Sequence, residues 1–293
     1  MKSCQVETTS LRIAIQKSGR LTDKTINLLE NIGLKFDGYK DRLLVKSLNF
    51  DVELLLIRDD DIPEYVQDGI CDLGIVGANV SLERGADVEV IRDLQYGMCR
   101  LSVAVPKSSG FHTMHDLNNK RIATSYPNLT RKYFSSRGID VKIVEISGAV
   151  EIAPRLDVAD AIVDLVSSGG TLKTNGLQEL EVILHSQSQL IRTRKPIPAE
   201  KLDLIDKFLI RINGRQLAER SRYIMMNAPR ESLEVISGLI PSLKSPTILP
   251  LAEPDMIAIH SVIPTDKFWE VMEELKAAGA SGIVMLPVES MIV

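Results

Sequence analysis

Five small residues, Ser167, Ser168, Gly169, Gly170 and Thr171, follow directly on an apolar run that carries two acids, Asp160 and Asp164. The run, 159–166, reads as a buried strand, and the segment before it, from Glu151, reads as a helix. A loop of this composition at the carboxyl end of a parallel strand turns its backbone N–H groups toward an anion. A helix following it adds the positive end of its dipole. Asp160 and Asp164 stand four apart, so on a strand both point to one face. Acids beside a phosphate cradle suit a sugar phosphate: the carboxylates accept from ribose hydroxyls or hold Mg²⁺ while the loop takes the phosphate. The chemistry indicated is phosphoribosyl transfer. Gly-Gly-Thr after an apolar strand also serves simply to turn a chain, and spacing alone leaves both uses open.

The stretch from Glu151 to Leu172 resembles the signature of the ATP phosphoribosyltransferase family: Glu, a small residue before an apolar strand carrying Asp, then Ser/Thr-Gly-x-Thr-Leu. Glu151, Asp164, Gly169, Thr171 and Leu172 stand at its positions, and Asp157 stands where the family usually has Gly. LRIAIQKSGRL (11–21), IRDDDIPEYVQDGICDLGIVG (57–77), CRLSVAVP (99–106) and KRIATSYPNLTRKYF (120–134) resemble further family segments in the same order. The likeness covers nearly the whole chain, including a C-terminal extension carried by the long form.

The resemblance implies transfer of the phosphoribosyl group of phosphoribosyl pyrophosphate to N1 of ATP, with release of pyrophosphate, the opening step of histidine biosynthesis. It implies a cytoplasmic enzyme inhibited by histidine, with AMP beside it, and dimers that assemble into hexamers. Mg²⁺ is then held mainly by the substrate phosphates. Asp164, Glu151 and Asp160 are the expected catalytic residues, and residues 167–171 the expected seat of phosphoribosyl pyrophosphate. Lys17, Arg20, Arg100, Thr124, Ser125 and Tyr126 are the expected contacts to ATP or pyrophosphate. N1 of adenine has a free lone pair, so the reaction needs no general base; alignment and electrostatics carry it.

These residues must be brought together by the elements around them. Lys17 and Arg20 flank a Gly turn after a short strand (11–15), where they reach the carboxyl edge of a sheet. A helix over 21–33 ends on Gly33. A strand (52–58), a helix (61–69) and another strand (71–77) continue a βαβ rhythm, which argues for a parallel sheet covered by helices. The strand 100–106 leads into a second such unit, and the chain returns over 180–193. Going out to a second lobe and back is the layout of the two-lobed periplasmic-binding-protein-like (type II) α/β fold. The expected lobes are 1–104 with 183–222, and 105–182 carrying the phosphoribosyl loop. Asp72, Gly74 and Gly77 are read as cleft wall, and Arg155 as a partner of Glu151 one helical turn on. The four histidines have no ligand or triad spacing.

Past a polar connector and an amphipathic helix (194–222), residues 223–293 read βαββαβ, a ferredoxin-like unit. Its strands carry no basic stripe or aromatic pair that would bind RNA. In the long form this unit resembles a histidine-binding regulatory domain, with Asn227, Thr247 and Ser281 as candidate contacts. The turn 279–282 brings backbone close to an amino acid.

A net charge of −4 gives no global field for nucleic acid, so the positive charge that a polyanionic substrate needs must be local. No apolar run approaches the length of a membrane span, and the polar N-terminus has no secretory signal. Cys4, Cys71 and Cys99 have neither metal nor CxxC spacing and read as reduced thiols. The alternative reading is a cytosolic two-lobed small-molecule binding or sensing protein. A secreted binder calls for a signal peptide and a DNA-linked sensor for a helix-turn-helix, and neither is visible. Another class of phosphoribosyltransferase calls for two adjacent acids before a Thr-rich loop. Asp59-Asp60-Asp61 instead precedes a helix.

Overall fold

Apolar runs alternate with helices from Ser10 onward, and the computed structural model, which describes residues 10–39, 42–240 and 245–293, turns them into three sheets. Lobe I is built by β1 (Leu11–Gln16), α1 (Thr22–Asn31), β2 (Leu44–Lys46), β3 (Val52–Ile57), α2 (Ile62–Gln67), β4 (Leu73–Gly77), α3 (Ala78–Arg84) and β5 (Val88–Asp93). Lobe II contains β6 (Cys99–Pro106), β7 (Arg121–Thr124), α4 (Pro127–Ser136), β8 (Lys142–Glu145), β9 (Ala161–Val166), α5 (Gly170–Thr174) and β10 (Leu177–Ser186). The chain returns to lobe I as β11 (Ser188–Thr193). β4 is buried along its length and β1 is buried except at Arg12 and Gln16, as expected of central strands covered by helices.

The sheet orders are β2-β3-β1-β4-β11-β5 and β10-β6-β9-β7-β8. Leaving out the short β2, each lobe reads second strand, first, third, crossing strand, fourth. The crossing strand, β11 or β6, arrives from the other lobe and runs antiparallel to both neighbours. This repeated order is the periplasmic-binding-protein-like type II arrangement. The two crossings are tied to each other, with Leu94 N donating to Ser188 O and Ser188 N to Tyr96 O, both at 2.9 Å.

The structure moves the expected boundaries. Cuts at 104/105 and 182/183 pass through β6 and β10, which pair with each other and lie wholly in lobe II. A strand commits to a sheet as a unit, so the lobes meet at the crossings, residues 94–98 and 187. The expected helix from Glu151 is two 3₁₀ turns, Val150–Ile152 and Pro154–Leu156. Asp157 ends the second in the left-handed region, at φ 53°.

After α6 (Ala199–Glu219) come β12 (Ser221–Pro229), α7 (Leu233–Leu239), β13 (Thr247–Pro250), β14 (Met256–Pro264), α8 (Thr265–Ala277) and β15 (Ser281–Pro287). Their order, β13-β14-β12-β15, is fully antiparallel and ferredoxin-like. Alternate residues of β12 and β14, among them Ile224, Met226, Ile257 and Ile259, face Ile236, Phe268 and Leu275 of the helices. Two compact units divide at 202/203, with Glu30–Gly33 grouped with the second. Most of α6 therefore belongs with the ferredoxin-like sheet, not with the catalytic part as a boundary at 222/223 would have it. Among the described residues no helix is long and apolar enough to cross a membrane. Cys71 and Cys99 are buried free thiols, and Cys4 lies outside the described residues.

Candidate active site

Parallel strands open their carboxyl ends on the cleft between the lobes, and the chain places its polar turns there. β9 delivers Asp164 two residues before its end, and Gly169 then takes φ 80° as the cap of α5. A side chain at Gly169 would be strained there, whereas glycine is not. The first N–H groups of α5 have no intrahelical acceptor; that of Gly170 donates to Ser168 Oγ at 3.4 Å, and Ser167, Ser168, Gly170 and Thr171 are exposed. A recess of about 250 Å³ is walled by this loop, Asp164, Glu151 and, from lobe I, Arg20. Burial raises the pKa of Asp164 above its ordinary value, and the charge of Glu151 adds to the rise while Arg20 opposes it. The recess thus brings two carboxylates together with the loop 167–171 and the start of α5.

Two arginines grip the loop at Ser167. Arg20 donates from Nη1 to its Oγ at 3.1 Å and from Nη2 to Cys99 Sγ at 3.5 Å. Arg100 donates from Nη1 to the Ser167 carbonyl at 3.2 Å, while its Nε meets both oxygens of Glu179 at 3.0 and 2.8 Å. Arg100, expected to contact ATP or pyrophosphate, holds the loop and Glu179 through Nη1 and Nε. Glu179 escaped the sequence reading: its partner lies 79 residues away.

Asp160 does not line this recess. It precedes β9, and its carboxylate accepts from Arg121 N at 2.7 Å and from Arg121 Nη2 at 3.0 Å. The guanidinium of Arg121 holds the Asp160 carboxyl below the usual range. Four residues along a strand share a face but lie about 13 Å apart, which puts the two acids at opposite ends of β9. Arg121 also donates to the backbone oxygen and to Oδ1 of Asp157.

The other candidates fall into two further recesses. Lys17 and Ser18 line one of about 550 Å³ with Arg58, Asp59 and Asp61. Ser125 and Tyr126 line another, about 430 Å³, with Asp59, Asp60, Glu83 and Arg84. Thr124 borders it too, but is fully buried, and its Oγ1 accepts from Tyr126 N at 2.9 Å. Ser125 donates to Ile146 O at 2.6 Å, and the Tyr126 hydroxyl accepts from Asn79 Nδ2 at 3.1 Å. Burial raises the pKa of the Tyr126 phenol. Asp72 is a structural acid, bound to Lys201 Nζ at 2.9 Å and to Arg12 N at 2.8 Å. Arg155 is exposed, and among the described residues it forms no ion pair with Glu151. In the C-terminal unit Ser281 Oγ donates to Asn227 O at 3.4 Å, whereas Thr247 pairs with His260 on β14, two strands from Asn227.

A family model described as HisG, ATP phosphoribosyltransferase, matches residues 58–214, and one described as HisG, C-terminal domain, matches residues 218–290. An ATP phosphoribosyltransferase of Cytophaga hutchinsonii is 45% identical over 284 residues, covering 97% of this chain and 99% of its own. One from Bacteroides fragilis is 45% identical over 283 residues, covering 97% and 100%. Among solved structures, the ATP phosphoribosyl transferase (HisG:HisZ) complex from Thermotoga maritima matches with a TM-score of 0.61 and 29% identity, over 69% of this chain and 96% of that one. The structure of Tv2483 bound to L-arginine, at TM-score 0.51 and 15% identity over 72% of this chain and 87% of that one, shares the fold alone. The chain, alike to these enzymes over nearly its whole length, belongs to the ATP phosphoribosyltransferase family.

Proposed function

We propose that the recess around residues 167–171 seats the ribose 5′-phosphate of phosphoribosyl pyrophosphate, with Asp164 and Glu151 beside the ribose. The family's reaction is the first step of histidine biosynthesis: adenine N1 of ATP bonds to the anomeric carbon as the bond from that carbon to pyrophosphate breaks. Positive charge develops on the ribose, where two carboxylates stabilise it, and negative charge moves onto pyrophosphate. Arg20, which walls this recess, and Lys17, in the neighbouring recess of lobe I, are assigned to that charge, and Ser125 and Tyr126 to ATP. Arg100 and Glu179 act by holding the loop. The observation that carries the reading is that the Gly169-capped N-terminus of α5 lines one recess with Asp164, an acid whose burial raises its pKa.

The donor set fits Mg²⁺ bound together with substrate phosphates: Asp164 and Glu151 share one recess, where burial and, less strongly, the charge of Glu151 raise the pKa of Asp164. Bound there with the substrate phosphates, Mg²⁺ would neutralise charge on the departing pyrophosphate. We assign the C-terminal unit to histidine, with Asn227 and Ser281 as its adjacent contacts, Thr247 further off, and AMP acting with it. We place the enzyme in the cytoplasm as a homo-oligomer passing from dimer to hexamer.

Thr171→Ala tests the cradle. It removes a hydroxyl from the first turn of α5 and leaves the fold alone, so the KM for phosphoribosyl pyrophosphate should rise roughly tenfold with a smaller change for ATP. Steady-state kinetics with each substrate varied in turn reads this, and an unchanged KM for the donor would place the phosphate elsewhere.

A further inference from the structure

Helix α4 starts without a capping side chain. Its N-cap is Tyr126, its first residue is Pro127, and no side chain of its own segment accepts from the N–H groups that follow. Those N–H groups are bonded nonetheless, by an acid of the other lobe. Glu83, on α3 of lobe I, accepts Asn128 N on Oε1 at 2.8 Å and Leu129 N on Oε2 at 2.9 Å, and its backbone oxygen accepts Asn128 Nδ2 at 3.1 Å. These are the N–H groups of the second and third helical residues, the ones a capping Ser or Asp would take. A carboxylate there also meets the positive end of the helix dipole. Asn79, at the other end of α3, makes the second contact of the seam. It is buried, donates to the Tyr126 hydroxyl at 3.1 Å, and is itself fixed by Ser186 on β10.

We propose that Glu83 is an interlobe latch, a positioning residue that holds the cleft closed by capping the first helix of the opposite lobe. When the lobes part, α4 loses its cap and Glu83 its donors, and water replaces both at a net loss, since charge-assisted bonds outrank neutral ones. The latch closes over Ser125 and Tyr126, so it sets the fraction of molecules competent to bind in the cleft. An affinity measured from outside is reduced by that fraction, whatever the ligand.

The link to affinity rests on the cleft being the substrate site, whereas closure can be read without any substrate. Nitroxides on Glu64→Cys and Lys132→Cys, exposed positions of lobes I and II, report the lobe separation by pulsed double resonance in full-length, spin-diluted enzyme free of ligand. The parent should give a short-distance population. Glu83→Ala should add a longer one, and Glu83→Gln, which keeps one acceptor and folds under the same constraints, should fall between. Calorimetric dissociation constants for phosphoribosyl pyrophosphate and for ATP should then rise by a common factor of about ten in Glu83→Ala. Unchanged distances in both variants would overturn the latch, as would a rise confined to one substrate. If the parent bound neither substrate, the site reading would fall while the distances still decided the latch.

Discussion

Asp164 sits where water is scarce and another carboxylate is near, so its ionised form is held at a cost to the fold. The sign follows from the direction of the shift. With a folded pKa above the unfolded one, the folded chain binds the extra proton between the two values, and stability falls as pH rises through that window. Above that window the cost is fully present, and Asp164→Asn removes it. That variant should melt above the parent near pH 7 and lose the advantage below pH ~4, yet lose on the order of 10²-fold in kcat. Thermal melts across pH, set beside turnover, check both halves; a lower melting temperature at pH 7 would mean that the carboxylate is satisfied by its surroundings. Asp157 shows a milder compromise. The left-handed region costs most side chains roughly 1–2 kcal/mol but is visited by Gly, Asn and Asp, and this chain keeps the conformation with Asp, whose Oδ1 accepts from Arg121.

At the scale of elements, much was legible because the signals are local. Apolar runs, period-3.6 spacing and turn residues located β1, β3, β4, β6 and β9 and the whole ferredoxin-like order to within a few residues. What the sequence hid is pairing across distance. Alternation told which face Asp160 shares with Asp164, but not that Arg121 ties it at the far end of β9. Pro154 and Asp157 broke the helix expected after Glu151, and the pairing of β6 with β10 set the lobe boundary. Glu179 on β10 is the functional example: it holds Arg100, which holds the loop after β9 through the Ser167 carbonyl. The Arg100–Glu179 pair is only partly buried, so the expected effect is modest. Glu179→Ala should raise the KM for phosphoribosyl pyrophosphate about three- to tenfold with kcat nearly unchanged, as steady-state kinetics would register. A fall in kcat at constant KM would show that Arg100 serves the transition state and not the loop.

At the scale of the two-lobed catalytic unit, the same strand order occurs twice, and the described chain passes between the copies at the crossings near residues 94–98 and 187. Gly97 lies in the first crossing at φ 68°. A Cβ there would come 2.5 Å from Leu21 Cδ2 and 2.9 Å from Ser188 Oγ, the latter on the second crossing. Leu21 is buried and follows Arg20 directly, so whatever displaces it displaces the arginine that joins lobe I to Ser167. Gly97→Ala therefore combines left-handed strain with overpacking, together about 2–4 kcal/mol, and turns part of it into a shift of Arg20. The variant should melt several degrees lower, and its KM for phosphoribosyl pyrophosphate should rise more than that for ATP, since Arg20 walls the recess of the loop and not the one beside Tyr126. Leu21→Ala in the same chain should restore much of the donor affinity by giving the new methyl room, though not the stability lost to strain. If the second substitution restored nothing, the crossing would act on the site by another route than Leu21 and Arg20.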